Sequence, residues 1–177
     1  MADVIVINKI DTADLCGVEE VRENIAEWNP DALVVDAASP LTVSDPSLIK
    51  GKNVLCIEDG PTLTHGGMKY GAGVMAALKF GAADLVDPRP WATGKIARTF
   101  ARYPDVGQLL PAMGYGEEQV RDLEATVAKV ECETVIIGTP IDLGRIIDIP
   151  QPSVRVTYKL AEIGKPDLKD ALADFLK

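Results

Sequence analysis

Asn8-Lys9-Ile10-Asp11 has the residue types and the spacing to read a guanine base. In an N-K-x-D loop the aspartate carboxylate accepts from the N1–H and the exocyclic amine of guanine, a pairing that adenine cannot make. The asparagine amide fixes the loop and reaches the base edge, and the lysine stem covers the ring. A plainer reading has Asn8 and Asp11 capping a turn and the helix after it. Ala37-Ala38-Ser39 falls about where such folds place the loop that backs the base, so Ala38 joins Asn8, Lys9 and Asp11 as a candidate nucleotide contact.

A second stretch, IEDGPTLTHGGMKYGAG from Ile57 to Gly73, holds the sequence's single histidine, His65, among glycines. The apolar run Asn53 to Ile57 predicts a buried strand that stops at Glu58-Asp59-Gly60-Pro61, and a helical pattern runs from about Tyr70 to Phe80. Strand, glycine loop and helix present backbone N–H groups and the helix's positive end to an anion. Gly60, Gly66, Gly67, Gly71 and Gly73 let a ligand come close to backbone. His65 and Lys69 add donors, and Arg89, stiffened between Pro88 and Pro90, is a candidate third cation. An ordinary β–α connection also favours glycine, and a surface salt bridge accounts for Arg89 equally well. Thr139 lies in another strand-end loop, Gly138-Thr139-Pro140-Ile141-Asp142, and is a further nucleotide-site candidate. Asp142 either faces the same crevice or caps a helix.

The elements that must position these residues alternate. Val4 to Ile7 predicts a strand, Val18 to Trp28 a helix stopped at Asn29-Pro30, and Ala32 to Val35 a strand. Ser39 to Pro46 marks a loop. Leu85-Val86 suits a very short strand and Gly94 to Arg102 a helix, while Leu110 to Gly116 looks irregular. Packing is the expected role of Trp91 and Tyr115. Glu117 to Val130 is an amphipathic helix. Thr134 to Ile137, a short helix at Leu143 to Ile147, a strand over Ser153 to Leu160 and a closing helix at Asp167 to Leu176 complete the chain. Short apolar strands separated by helices indicate an α/β fold, a mainly parallel sheet flanked by helices.

The 177 residues suit a single α/β domain, 1–177, with 47% hydrophobic and 25% charged residues. A net charge of −9 argues against a nucleic-acid groove, although Lys69, Arg89, Lys95, Arg98 and Arg102 leave room for a local basic pocket. Cys16, Cys56 and Cys132 are widely separated and lack zinc spacing, so no metal site is expected, and unpaired thiols suit a reducing compartment. Apolar runs are far shorter than the ~20 residues of a membrane span. The expected protein is soluble and cytoplasmic, without a membrane or nucleic-acid partner.

A P-loop requires G-x-x-x-x-G-K-[ST]. Gly51-Lys52, Gly94-Lys95 and Gly164-Lys165 are followed by Asn53, Ile96 and Pro166, and none has the earlier glycine. NKID, EDGPTLTHGGMKYGAG, VDPRPWATGKI, LLPAMGYG and GTPIDLGRII together resemble the C-terminal half of cyclic 2,3-diphosphoglycerate synthetase and its bacterial relatives, the predicted GTPases. The resemblance covers nearly all of the chain. It implies a partial P-loop-NTPase-like fold without the P-loop, and a nucleotide-binding half of a larger enzyme. That enzyme uses ATP to close an intramolecular phosphoanhydride. Asn8, Lys9 and Asp11 would then sit at the base, with His65, Lys69 and Arg89 near the phosphates or the substrate. The implied cofactor is ATP or GTP with Mg2+, its ligands outside this chain. Expected partners are the nucleotide, a phosphorylated small molecule and the missing N-terminal half or partner subunit, in a homo-oligomer. A GTPase taken from NKID at face value, or a non-catalytic nucleotide-fold subunit, are the alternatives.

Overall fold

The computed structural model describes residues 1–60, 63 and 69–173. They gather into two compact units, 1–40 with 158–177 and 41–157, where the sequence suggested one domain. Both units are α/β.

In the first unit, β1 (Val4–Ile7) and β2 (Leu33–Ala38) pair in parallel, with Val4 opposite Leu33 and Ile7 opposite Asp36. The third strand of this sheet comes from the C-terminal segment, Ala161–Glu162, which runs antiparallel to Ala37 and Ala38. Between β1 and β2 lies α1 (Leu15–Trp28), which starts earlier than the apolar periodicity predicts. The reason is Asp14, whose carboxylate accepts from the Gly17 N–H and supplies an N-cap ahead of the first buried position, Val18. Asn29 closes the helix by donating its N–H to the Ile25 carbonyl.

The second unit is built on β4 (Asn53–Asp59), whose residues Val54 to Ile57 are fully buried. A strand with both faces covered is apolar throughout, and this one is parallel to every neighbour. Thr134–Ile137 pairs along one side of it, from Val54 opposite Thr134 to Ile57 opposite Ile137. Two short strands share the other side: β5 (Asp84–Leu85) beside Asn53 and Val54, and β6 (Leu110–Ala112) beside Ile57 to Asp59. With β7 (Thr134–Ile137), β8 (Ser153–Tyr158) and β3 (Leu41–Val43), the sheet order is β3-β8-β7-β4-β5, with β6 also on β4. Helices α2 (Ala72–Lys79), α3 (Gly94–Arg102) and α4 (Glu117–Val127) flank it. In the first unit β9 (Ala161–Glu162) and α5 (Leu168–Leu172) close the list.

Several boundaries differ from expectation for identifiable reasons. Glu58 and Asp59 belong to β4 rather than ending it, because β6 extends the ladder to Asp59. The stretch 110–116, expected to be irregular, contributes that strand; Pro111 is tolerated because β6 pairs on one side. Residues 39–46, expected as loop, include β3. Residues 143–147 form a 3-10 turn, Leu143–Arg145, rather than an α-helix. Trp91 and Tyr115 pack against the apolar core, as their composition suggests.

The core depends most on β4. Leu55→Ala removes a fully buried side chain and is expected to destabilise by about 2–5 kcal/mol. Leu78→Ala, at a position 66% exposed, should be close to neutral. Urea unfolding of the two variants checks the contrast.

Candidate functional site

The loop after β1 is tied to the loop after β2. Asn8 Oδ1 accepts from the Lys9 N–H at 2.8 Å and from the Ser39 hydroxyl at 3.0 Å. Asp11 Oδ1 accepts from the Ser39 N–H at 3.4 Å, and the Ile10 N–H reaches the Ala37 carbonyl at 3.2 Å. Lys9 has a positive φ of 64°, a conformation costly for a residue with a Cβ and one that turns the chain sharply here. The Thr12 and Ala13 N–H groups both return to the Lys9 carbonyl. So the sequence's two nucleotide-loop segments do converge. Ala38, the residue that sequence reasoning singled out in the second segment, is buried, while Ser39 makes the cross-links, a role that sequence reasoning did not give it. Asn8, Lys9 and Asp11 are exposed. This arrangement is an exposed, internally hydrogen-bonded loop at the C-terminal end of parallel strands, where α/β folds place ligands.

In the second unit the chemistry gathers at the C-terminal ends of β4, β6 and β7, around a residue that the sequence treated as a strand stop. Glu58 is 2% exposed. Its Oε1 accepts from the Val74 N–H at 2.8 Å, and the Gly71 and Gly73 amides also bond the carboxylate. These are the orphan donors of the first turn of α2, whose own N-cap, Gly71, has no side chain to offer. The helix's positive end therefore holds a carboxylate of this chain. Burial raises the Glu58 pKa, against the lowering effect of the three amides, and Asp59 nearby pushes in the same direction as burial.

Three glycines make room for that carboxylate. A Cβ on Gly71 would come within 2.5 Å of Oε2, one on Gly73 within 3.1 Å of Oε1, and one on Gly138 would collide with Oε2. Those glycines are the signal that sequence reading missed. It attributed Gly71 and Gly73 to ligand approach, yet they admit Glu58.

The other candidates are placed as follows. His65, Gly66 and Gly67 lie outside the described residues. Lys69 is exposed, and its carbonyl accepts from the Gly107 N–H at 3.2 Å. Arg89 is tied locally: Nη1 donates to both carboxylate oxygens of Asp87 at 3.0 Å, Nη2 donates to the Val106 carbonyl, and the guanidinium lies 4.9 Å from the Phe100 ring centre. A ligand reaching Arg89 would compete with those partners. Of the other basic residues, Lys95 and Arg98 pair with Glu118 at 2.7 and 3.8 Å. Thr139 is 1% exposed; its hydroxyl meets the Tyr115 hydroxyl at 3.0 Å and accepts from the Ile141 N–H. Asp142 makes no capping bond and instead pairs with Arg145 and Arg155. Burial pushes the Cys56 thiol far up, which keeps it an inert neutral group. Among the described residues no cluster of His, Cys, Asp and Glu could hold a metal, and no helix is long and apolar enough to cross a membrane.

Glu58 carries a pH dependence whose sign follows from its burial. Its folded pKa lies above the ordinary glutamate value of 4.5, so the folded state binds the proton more tightly than the unfolded state. Its contribution is then most favourable below 4.5 and declines as pH rises through the raised value. Relative to Glu58→Gln, the wild type should lose stability over that interval, measured by urea unfolding at a series of pH values. A difference that stays flat would show a carboxylate with an ordinary pKa.

No protein-family model matches the chain. It is similar to arginine synthetase ArcE of Thermococcus kodakarensis, with 56% identity over 176 residues. That match takes in 99% of this chain and 39% of the relative, so the chain spans about two fifths of the length of the curated relative it matches.

Proposed function

We propose that the chain is the base-binding part of a nucleotide-driven synthetase, completed by a further segment or subunit. The observation that carries this reading is the cross-linked loop pair, Asn8 and Asp11 on Ser39, in a chain so similar to a protein named arginine synthetase. The name and the cyclic-diphosphoglycerate resemblance imply different products but share one chemical logic. A terminal phosphoryl group transferred to an oxygen of one reactant turns that oxygen into a leaving group. A second nucleophile then displaces it and phosphate departs. Arginine-forming and phosphoanhydride-forming reactions differ only in the nucleophile and in the oxygen activated.

In this reading Asp11 and Asn8 hold the base edge and the Lys9 stem covers the ring. Lys69 and His65, with Arg89 if it exchanges its present partners, meet the phosphates or the phosphorylated reactant. Mg2+ would arrive with the nucleotide and supply charge neutralisation at the phosphates. The described residues do not fit a resident magnesium site, so no step is assigned to it. The second reading, a GTPase, is favoured specifically by the NKID loop.

Phosphoryl transfer depends on positioning and on charge stabilisation by amides, a lysine and a metal ion, and this chain has no P-loop to supply them. The chain alone is therefore expected to release no phosphate from ATP or GTP above background. Mixed with the part of the relative that lies outside the match, it should do so with one nucleotide. Asp11→Asn should then weaken GTP more than ATP if the base is guanine, because a site built around a particular hydrogen bond leaves buried partners unpaired with the wrong one. Equal losses would reduce Asp11 to a loop brace, and robust hydrolysis by the chain alone would overturn the reading.

The anion loop has its own test. A charge-assisted bond to phosphate contributes ~1.5–3 kcal/mol, so Lys69→Ala and His65→Ala should each weaken phosphate or nucleotide binding about ten- to a hundredfold in calorimetric titration. Unchanged affinity in both variants would leave the loop a β–α connection.

A further inference from the structure

We propose that the open edge and outer face of β1 dock the polypeptide corresponding to the part of the arginine synthetase relative that lies outside the match, which adds a strand beside β1. This rests on the reading above that a further segment completes the chain, and it specifies the surface.

β1 ends its sheet, with β2 as its neighbour and none on the other side among the described residues. The Leu33 N–H donates to the Asp3 carbonyl. In a parallel pair successive residues bond alternately to either side, so Asp3, Ile5 and Ile7 face β2. The N–H and C=O groups of Val4 and Val6 therefore point to the open edge. Edge strands of soluble proteins are ordinarily blunted by charge, proline or a bulge. β1 is Val-Ile-Val-Ile and has none of these.

The faces tell the same story. Helix α1 covers the side that carries Ile5, Val34 and Asp36: Arg22 bonds Asp36 at 2.6 Å, and Arg22, Ile25 and Ala26 line a hollow together with Val34. On the opposite side Val6 and Leu33 are each 37% exposed. Parallel strands belong in sheets covered on both faces; on this side Val35 is fully buried while Val6 and Leu33 stay partly open, so the cover is incomplete beside β1. Among the described residues ten exposed large hydrophobics lie in the first unit and four in the second, although the second is the longer. The occupant follows from length. Well over half of the relative lies outside its match to this chain, which is ample polypeptide for a strand with an apolar layer behind it. Strand addition supplies main-chain bonds along the edge and seats apolar side chains on the exposed face.

The test co-expresses this full chain with a tagged polypeptide covering the part of the Thermococcus kodakarensis arginine synthetase outside the match. The two should co-purify, and Val6→Asp should reduce retention about tenfold or more. Hydrogen exchange on the wild type avoids any doubt about folding of the variant. The Val4 and Val6 amides should exchange about tenfold or more slowly in the complex than in the free chain, and the Ile5 and Ile7 amides should change little. Absence of association, or association that leaves Val4 and Val6 unchanged, would overturn the proposal. A dimer of this chain alone that protects the same two amides would overturn it in favour of a second copy. Association with the expected protection but no phosphate release would sink the functional reading and leave the docking surface standing.

Discussion

The buried carboxylate of Glu58 is the constraint around which the second unit is arranged. An ionised group taken out of water is costly unless hydrogen bonds replace its hydration. Glu58 finds those bonds in the amides of Gly71, Gly73 and Val74, and the same contact satisfies a helix start that has no capping side chain of its own. Each side of the contact answers the other's deficit. Glycines from two separate segments make room for it, because a methyl group at Gly71 or Gly138 would occupy the carboxylate's place. The contact joins the end of β4, the start of α2 and Gly138 after β7, one residue before Thr139 and its bond to Tyr115.

That arrangement also changes what a glycine-rich loop means here. Glycines ahead of a helix suggest an anion site, and the inference is physically sound: the helix N-terminus of α2 does hold a carboxyl group. That group is intramolecular. A sequence offers no direct way to distinguish a ligand phosphate from a carboxylate thirteen or more positions away, since both require bare amides and missing Cβ atoms. What would have suggested the difference is Glu58 itself, a charged residue directly continuing the apolar run Val54 to Ile57.

Much else was legible because it depends on local pattern. The β4 and β7 strands, α3 and α4's start follow from apolar runs, periodicity and glycine or proline stops, and the structure places them within a residue or two. The convergence of the loops at Asn8 and Ser39 followed from their positions at the ends of consecutive parallel strands. The two-residue strand at Ala161–Glu162 and the short β3 were not legible, since such strands are defined by a partner far along the chain rather than by their own pattern. The division into two units was hidden for a similar reason: the C-terminal segment returns to the first forty residues, a long-range pairing that composition does not reveal.

Charge places a final demand on any nucleotide reading. At a net charge of −9 the chain's average field repels a polyanion, so a triphosphate has to be held by short-range contacts. Most basic side chains near the second unit's helices are already committed: Arg89 to Asp87 and backbone carbonyls, Lys95 and Arg98 to Glu118, Arg155 to the Pro140 carbonyl. The helix N-terminus of α2 is filled by Glu58. Lys69 makes no ion pair among the described residues, and one ammonium does not balance three phosphates. The Asn8–Asp11 loop is neutral overall, since Lys9 offsets Asp11. The charge balance of a bound triphosphate must therefore come from the metal ion it brings and from groups beyond the described residues. In the proposed reading, base recognition and phosphate binding are therefore separate demands, the first placed on the Asn8–Asp11 loop and the second on the metal ion and on groups beyond the described residues.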